Sequence, residues 1–318
     1  MATNGADATS ALLSLHNLLQ AVCGACGSAI SIAAFYPLET VRTRLQVDAA
    51  DLSPRSPILL ALHIGRSEGV RSLYRGLPSL VLALSVTNFV YFYAFHGLRA
   101  MYDTNTASTD FICASIAGVV TVLVSNPLWV VNTRLKLQGV AFKANKKGES
   151  KERRYNSVLD CIFGTAQHEG WQALWSGTSI SLMLISNPTI QYSCYEYLKR
   201  IQLENVLVIS AISPHIRHLL NGALSKFVAT VCTYPLQVIQ TQRRSGRFTE
   251  KPNPQMKKRS SFLSLIDHGS TIIKRDAMAG LFRGLESKLL QTVLSAALMF
   301  FIYEEMANCV FSIAGVVR

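Results

Sequence analysis

The stretch PLWVVNTRL (127–135) closes a run with no charged residue from Phe111 to Thr133. Such a run suits the roughly 20 helical residues that cross a bilayer core. Its proline sits where the apolar helix should continue, removes a backbone hydrogen bond and bends the axis. Trp129 and Asn132 follow the bend, and only then comes a charge, Arg134. The fold turns on why a membrane-length helix bends there and offers those two side chains.

Comparable uncharged runs occur at Asn17–Leu38, Gly76–Phe95 and Ser176–Tyr195. Two weaker candidates are Leu219–Thr241, interrupted by Lys226, and the short Leu289–Tyr303. Together they predict six spans. Apolar residues make up 49% of the 318, and the mean hydropathy is +0.26, which points the same way. The 31 basic against 19 acidic residues give a formal charge of +12. Such a balance suits nucleic acid, an anionic membrane surface or an anionic solute. The apolar runs decide for the membrane, since a soluble nucleic-acid binder has no use for them.

The N-terminus MATNGADATSALL is neither a basic secretory leader nor an Arg-rich transit peptide, and the C-terminal GVVR is no SKL-type address. Targeting is therefore expected to be internal. Cys23 and Cys26 form a C-x-x-C without a second Cys/His pair nearby, so they read as small packing residues and not as a zinc site. No metal site is expected.

The chain repeats itself. PLETVRTRLQ begins at Pro37, PLWVVNTRLK at Pro127 and PLQVIQTQRR at Pro235. A second mark follows each: EGVRSLYRG at Glu68, EGWQALWSG at Glu169 and DAMAGLFRG at Asp276. Each third thus reads as apolar helix, proline, basic end, polar loop with a short amphipathic helix, acid–aromatic–glycine turn and apolar helix. The short helices are expected at Ile58–Ser67, Val158–Gln167 and Phe262–Lys274, with Val158, Ile162, Phe163 and Ala166 at helical spacing. Small residues recur on the odd spans and allow close packing in lipid: Gly24, Ala25 and Ser28; Ala117 and Gly118; Gly222, Ala223 and Ser225.

Between the span ends, polar residues share helix faces. Asn88 and Tyr91 lie on the second span, Asn187 and Gln191 on the fourth, and Lys288, Gln291 and Ser295 on the sixth. Lysine could counter phosphate, amides could read a base edge, and Tyr91 could stack on a ring. Glu286 is a candidate partner for Lys288. No P-loop, G-x-S-x-G or H-E-x-x-H stands out, so an enzyme is not expected.

The threefold P-x-[DE]-x-x-[KR] mark, with its downstream [DE]-G-x(4)-aromatic-[KR]-G, resembles the mitochondrial carrier family over about Leu18 to Phe311. VTNFVYFYAF (86–95), PLWVVNTRLKLQG (127–139), SNPTIQYSCYEYLKR (186–200) and GLESKLLQTVLSAALMF (284–300) are similar to the family's animal peroxisomal branch. The resemblance implies an all-α membrane protein of six transmembrane helices with pseudo-threefold symmetry. Its repeats would occupy residues 1–105, 106–204 and 205–318. It further implies alternating access through a central cavity lined by the polar faces above.

By the family's pairing, the proline-side gate would set Glu39 against Asn132, Trp129 against Gln240 and Gln237 against Arg42. No complete ion pair remains among these. The opposite gate would join Arg99 to Glu196 and Lys199 to Glu304, with His96 facing Ala307. On pair count, closure at that opposite gate is expected to be the firmer. The implied cargo is CoA, FAD, NAD and AMP or ADP, transported and not held as cofactors. The implied setting is the peroxisomal membrane, with the mitochondrial inner membrane and a nucleotide or folate carrier as the alternative. A membrane enzyme or a structural adaptor is more remote. The basic segments 142–154 and 251–259 would draw anions, bind lipid or engage a peroxisomal import receptor. A single chain holds all three repeats, so a monomer suffices, and no nucleic-acid partner is expected.

Overall fold

The computed structural model describes residues 15–47, 56–101, 107–138, 155–204, 214–246 and 261–314. Among them the secondary structure is helical, without a strand. Six rods carry the architecture: α1 (Leu15–Gln46), α4 (Leu77–Arg99), α5 (Ala107–Lys136), the pair α7 (Thr178–Leu184) and α8 (Asn187–Glu204), α9 (Pro214–Arg244) and α11 (Leu285–Ala314). Shorter helices join them: α2 (Pro57–Ser67), α3 (Val70–Leu73), α6 (Val158–Glu169), a 3-10 turn over Trp171–Trp175, and α10 (Ser261–Gly280).

Pro37, Pro127 and Pro235 all lie inside long helices, as the repeat requires. The fourth rod is broken at Ile185 and Ser186, whose amides turn back to Leu182 and Met183, because Pro188 follows at the next helix start. Among the described residues, two stretches qualify as spans by length and apolarity alone, Val70–Arg99 and Thr109–Lys136, with mean hydropathy 1.5 and 1.9.

The rods pack most extensively across repeats: α4 along α5, α8 along α9, and α11 along α1. Within a repeat the contacts are lighter, as between α5 and α7 and between α9 and α11. Exposed apolar side chains on the rods, such as Phe89, Tyr93, Phe111 and Val293, suit a lipid-facing surface.

Each repeat has its own small core at the proline end. Val41, Val131 and Ile239 occupy equivalent positions four residues past their prolines. Val41 packs with Leu60, Ile64 and Leu73, Val131 with Cys161 and Leu174, and Ile239 with Ile180, Ile272 and Leu281. The short helices are amphipathic because one face covers that residue. Ser56 and Ser157 cap α2 and α6 with side-chain acceptors, and Pro57 starts α2 where its missing N–H costs nothing. On α6 the buried face comprises Val158, Cys161, Ile162 and Ala166, whereas Phe163 is 58% exposed. Cys161 replaces the expected Phe163 because the packed stripe runs through it.

The glycines of the second mark are needed for their backbone. Gly76, Gly177 and Gly284 take φ of 86°, 81° and 81°. A side chain at Gly76 would meet Lys136 and the Tyr36 hydroxyl at 3.0 and 3.1 Å, and one at Gly284 would meet the Tyr234 hydroxyl at 3.1 Å. Of the expected small-residue contacts, Gly118 meets Ile185 while Gly222 faces open space. The side chains of Cys23, Gly24 and Ala25 lie outside the described residues, as do the basic segments 142–154 and 251–259.

Candidate functional site

A cavity of about 260 Å³ lies at the proline end, between α1, α5, α7, α8 and α9. All six residues expected of the proline-side gate line it: Glu39, Arg42, Trp129, Asn132, Gln237 and Gln240. The lining also includes Thr43, Thr133, Lys136, Leu184, Asn187, Thr241 and Arg244. The bends therefore do what the opening stretch suggested, turning polar groups past each proline toward a common axis.

The expected pairings are not the ones made. Asn132 accepts from the Ser79 hydroxyl at 3.1 Å and does not engage Glu39. The Trp129 indole donates to Thr87 at 3.1 Å, and Gln240 donates to Ser181 at 2.8 Å. Gln237 donates to Thr233 within its own helix, leaving Arg42 to Glu39 at 3.4 Å. The cross-helix ion pair comes from elsewhere: Lys136 Nζ reaches Glu39 Oε1 at 3.2 Å, with the lysine side chain only 3% exposed. Asn132 is engaged by Ser79 of α4, while a lysine one turn further on reaches across to α1. Hence the proline side does hold an ion pair, contrary to the expectation of none.

Three further sets of bonds tighten this end. Gln46 donates to the Tyr234 hydroxyl at 3.2 Å, accepts from Thr241 at 2.8 Å, and takes the Gln242 amide on its carbonyl at 2.9 Å. Tyr36, Asn126 and Tyr234, each just before its proline, donate to the carbonyls of Arg75, Ser176 and Arg283. Those carbonyls immediately precede Gly76, Gly177 and Gly284. Finally, Arg44 forks onto Glu68 at 2.6 and 2.9 Å, and Arg134 onto Glu169 at 2.6 and 2.7 Å. Such bidentate charged bonds are among the strongest side-chain contacts. Reading the repeats column by column, and not only at the motif positions, would have exposed all three sets.

At the opposite end, among the described residues, the expected pair between Arg99 and Glu196 is not made in this conformation. Arg99 reaches Asp110 at 2.6 Å, across the short α4–α5 connection, and not Glu196. Glu196 lies 3.9 Å from Lys199 on its own helix. The ring of His96 stacks on Phe92. The side chains of Glu304 and Ala307 lie outside the described residues. The nearby acid at the start of α5 competes successfully for Arg99. The described gate residues are therefore joined across helices at the proline end, while the expected Lys199–Glu304 pair of the other gate lies outside the described residues.

The expected binding residues divide. Asn187 enters the cavity lining and donates to Thr233 at 2.7 Å. Gln191 accepts from Lys226 at 3.2 Å. Asn88 is exposed, and Tyr91 stacks on Phe95 with centroids 6.2 Å apart. Gln291 holds a buried Oε1 without a hydrogen-bond partner, and the Ser295 carbonyl accepts from Ser31 at 2.6 Å. Lys288 is in electrostatic reach of Arg42, Glu39 and Lys226. Glu286 is exposed and forms no ion pair with it among the described residues. No group of three His, Cys, Asp or Glu among the described residues could hold a metal.

A ring of six rods around a polar chamber, closed at one end by bent helices, defines a membrane transporter working on a solute. The family description "Mitochondrial carrier protein" matches three times, at residues 14–106, 103–206 and 213–313, and the chain belongs to that family. It is a transporter and not an enzyme. Over 309 residues it is 40% identical to "Peroxisomal membrane protein PMP34" of Mus musculus, covering 96% of this chain and 97% of the relative. It is 31% identical over 312 residues to "Peroxisomal adenine nucleotide carrier 1" of Glycine max, covering 92% and 91%. With "Peroxisomal nicotinamide adenine dinucleotide carrier" of Arabidopsis thaliana it shares 27% over 321 residues, covering 92% and 95%. The chain is accordingly a multi-pass protein of the peroxisomal membrane.

Proposed function

We propose that this carrier moves nucleotide-type cofactors by alternating access, with CoA, FAD, NAD and AMP or ADP as its cargo. The supporting observation is the cavity itself, in which three cations and several amides surround a single carboxylate. An anion with neutral hydrogen-bonding parts is the matching solute. The names of its relatives, which carry adenine nucleotide and NAD, favour the same class.

In this reading Asn88, Asn187, Gln191, Gln291 and Ser295 hydrogen-bond the base or ribose. Tyr91 offers a ring face, and Lys288 counters charge. The proline-side residues Glu39, Arg42, Trp129, Asn132, Gln237 and Gln240 form one gate. His96, Arg99, Glu196, Lys199 and Glu304 would form the other once the mouth closes and Arg99 leaves Asp110. One chain encloses the path, so a monomer is the working unit, and the basic segments 142–154 and 251–259 are the surface for an import receptor.

Uptake by purified protein in liposomes tests the cargo with labelled CoA, FAD, NAD and AMP. Saturable uptake of one or more is the expected result. Absence of flux for all four would end the proposal.

A further inference from the structure

Aligned on their prolines, the repeats place Gln46, Lys136 and Arg244 at one equivalent position. In the first repeat it is neutral, and Gln46 is fully occupied by Tyr234, Thr241 and Gln242. In the other two it is a cation facing the cavity. Lys136 reaches Glu39 at 3.2 Å. The Arg244 guanidinium lies over the Trp129 ring at 5.8 Å and donates to Asn126 and Ser181, while its Nε is buried without a partner. Arg42, 3.4 Å from the same Glu39, also keeps a buried Nε without a partner.

Among the described residues Glu39 is thus the only acid lining the cavity, against three cations. One carboxylate cannot neutralise one buried and two partly buried positive charges, and charge taken from water without compensation is costly. The walls of the chamber therefore suit an anion. Guanidinium forks match the oxygens of phosphate, and an ammonium serves as a point charge beside them.

We propose that Lys136 and Arg244, with Arg42, form a phosphate site on the cavity floor, where a phosphate competes with Glu39 for Lys136. The inference rests on the reading of the cargo as phosphate-bearing. Lys136–Glu39 also joins α5 to α1, so an arriving phosphate loosens that junction as it binds. Position 136 and position 244 therefore couple the cargo's charge to the opening of the floor.

Thermal unfolding of the full-length protein in detergent, titrated with pyrophosphate, AMP and adenosine, tests this. Pyrophosphate and AMP should raise the midpoint, and adenosine should not. Lys136→Gln and Arg244→Gln, which install the first repeat's residue, should each weaken pyrophosphate binding about tenfold. Lys136→Arg, which keeps the charge, should retain it. Glu39→Gln, which removes the competitor, should tighten it several-fold. If Lys136–Glu39 is only a strut, Lys136→Gln and Glu39→Gln will lower the midpoint alike and leave pyrophosphate affinity unchanged, and the proposal falls. It also falls if the loss appears at Lys288→Gln and not at positions 136 and 244. Parallel liposome uptake separates the two readings. Pyrophosphate binding lost at 136 and 244 without any nucleotide flux upholds the site and overturns the cargo, while nucleotide flux with unaltered variants overturns the site alone.

Discussion

Ala277 adopts φ 55° and ψ −166°, a region suited to glycine, and interrupts α10. The equivalent positions in the first two repeats are Gly69 and Gly170, at φ 86° and 88°. The turn evidently needs that backbone shape in every repeat, and the third meets it with an L-residue at a cost of about 1–3 kcal/mol. Ala277→Gly should raise stability by about 1 kcal/mol, read as an upward shift of the thermal midpoint in detergent. Cys161 offers a second test. It is fully buried against Val131, and burial pushes its thiol up to about 11. The thiolate is the nucleophile, so a raised value keeps the group inert at neutral pH. A maleimide at pH 7.5 should leave Cys161 unmodified while labelling the exposed Cys232, and Cys161 should react only as the pH approaches 11; mass spectrometry reads both.

At the scale of elements, two glycines with the same backbone shape should behave differently. A methyl at Gly170 meets nothing within 4 Å, so Gly170→Ala adds only the backbone cost of about 1–2 kcal/mol. At Gly76 the same methyl presses on Lys136 and on the Tyr36 hydroxyl that holds the Arg75 carbonyl. Gly76→Ala should therefore cost more stability than Gly170→Ala and also depress liposome uptake, whereas Gly170→Ala should lose little uptake. The elements themselves were largely legible. Two of the three short helices were placed to within a few residues, and all three prolines fell inside long helices, because both follow from apolar periodicity and repetition. Residue pairing was not legible. Asn132 and Gln237 bond within reach of their own surroundings, and which of Asn132 or Lys136 bridges to Glu39 depends on side-chain length and helix separation. A sequence gives the first but not the second.

The whole molecule is closed at the proline end, where Lys136 meets Glu39 and Gln46 meets Thr241. Arg99 is held by Asp110 at the other mouth. In cargo-free liposomes of known orientation, a membrane-impermeant thiol reagent should therefore reach a cysteine replacing Thr241 from the mouth side and not from the proline side. The ring was legible as three hairpins around a chamber; which side chains pair at its two ends was not. Counting potential ion pairs missed Lys136, which lies beyond the gate positions, and it could not foresee that Arg99 would settle on a neighbour in the chain.

Gln46 has an unusual reach. It belongs to the first repeat, yet its partners Tyr234, Thr241 and Gln242 all belong to the third. The first two repeats fasten their own connecting segments through Arg44 and Arg134, while the third carries Gln242 at that position. The last third of the protein is thus moored by a residue translated before most of the chain exists. An inherited change at position 46 would present as a defect of the carboxy-terminal hairpin, and that hairpin cannot settle into register until the first helix is already in place to receive it.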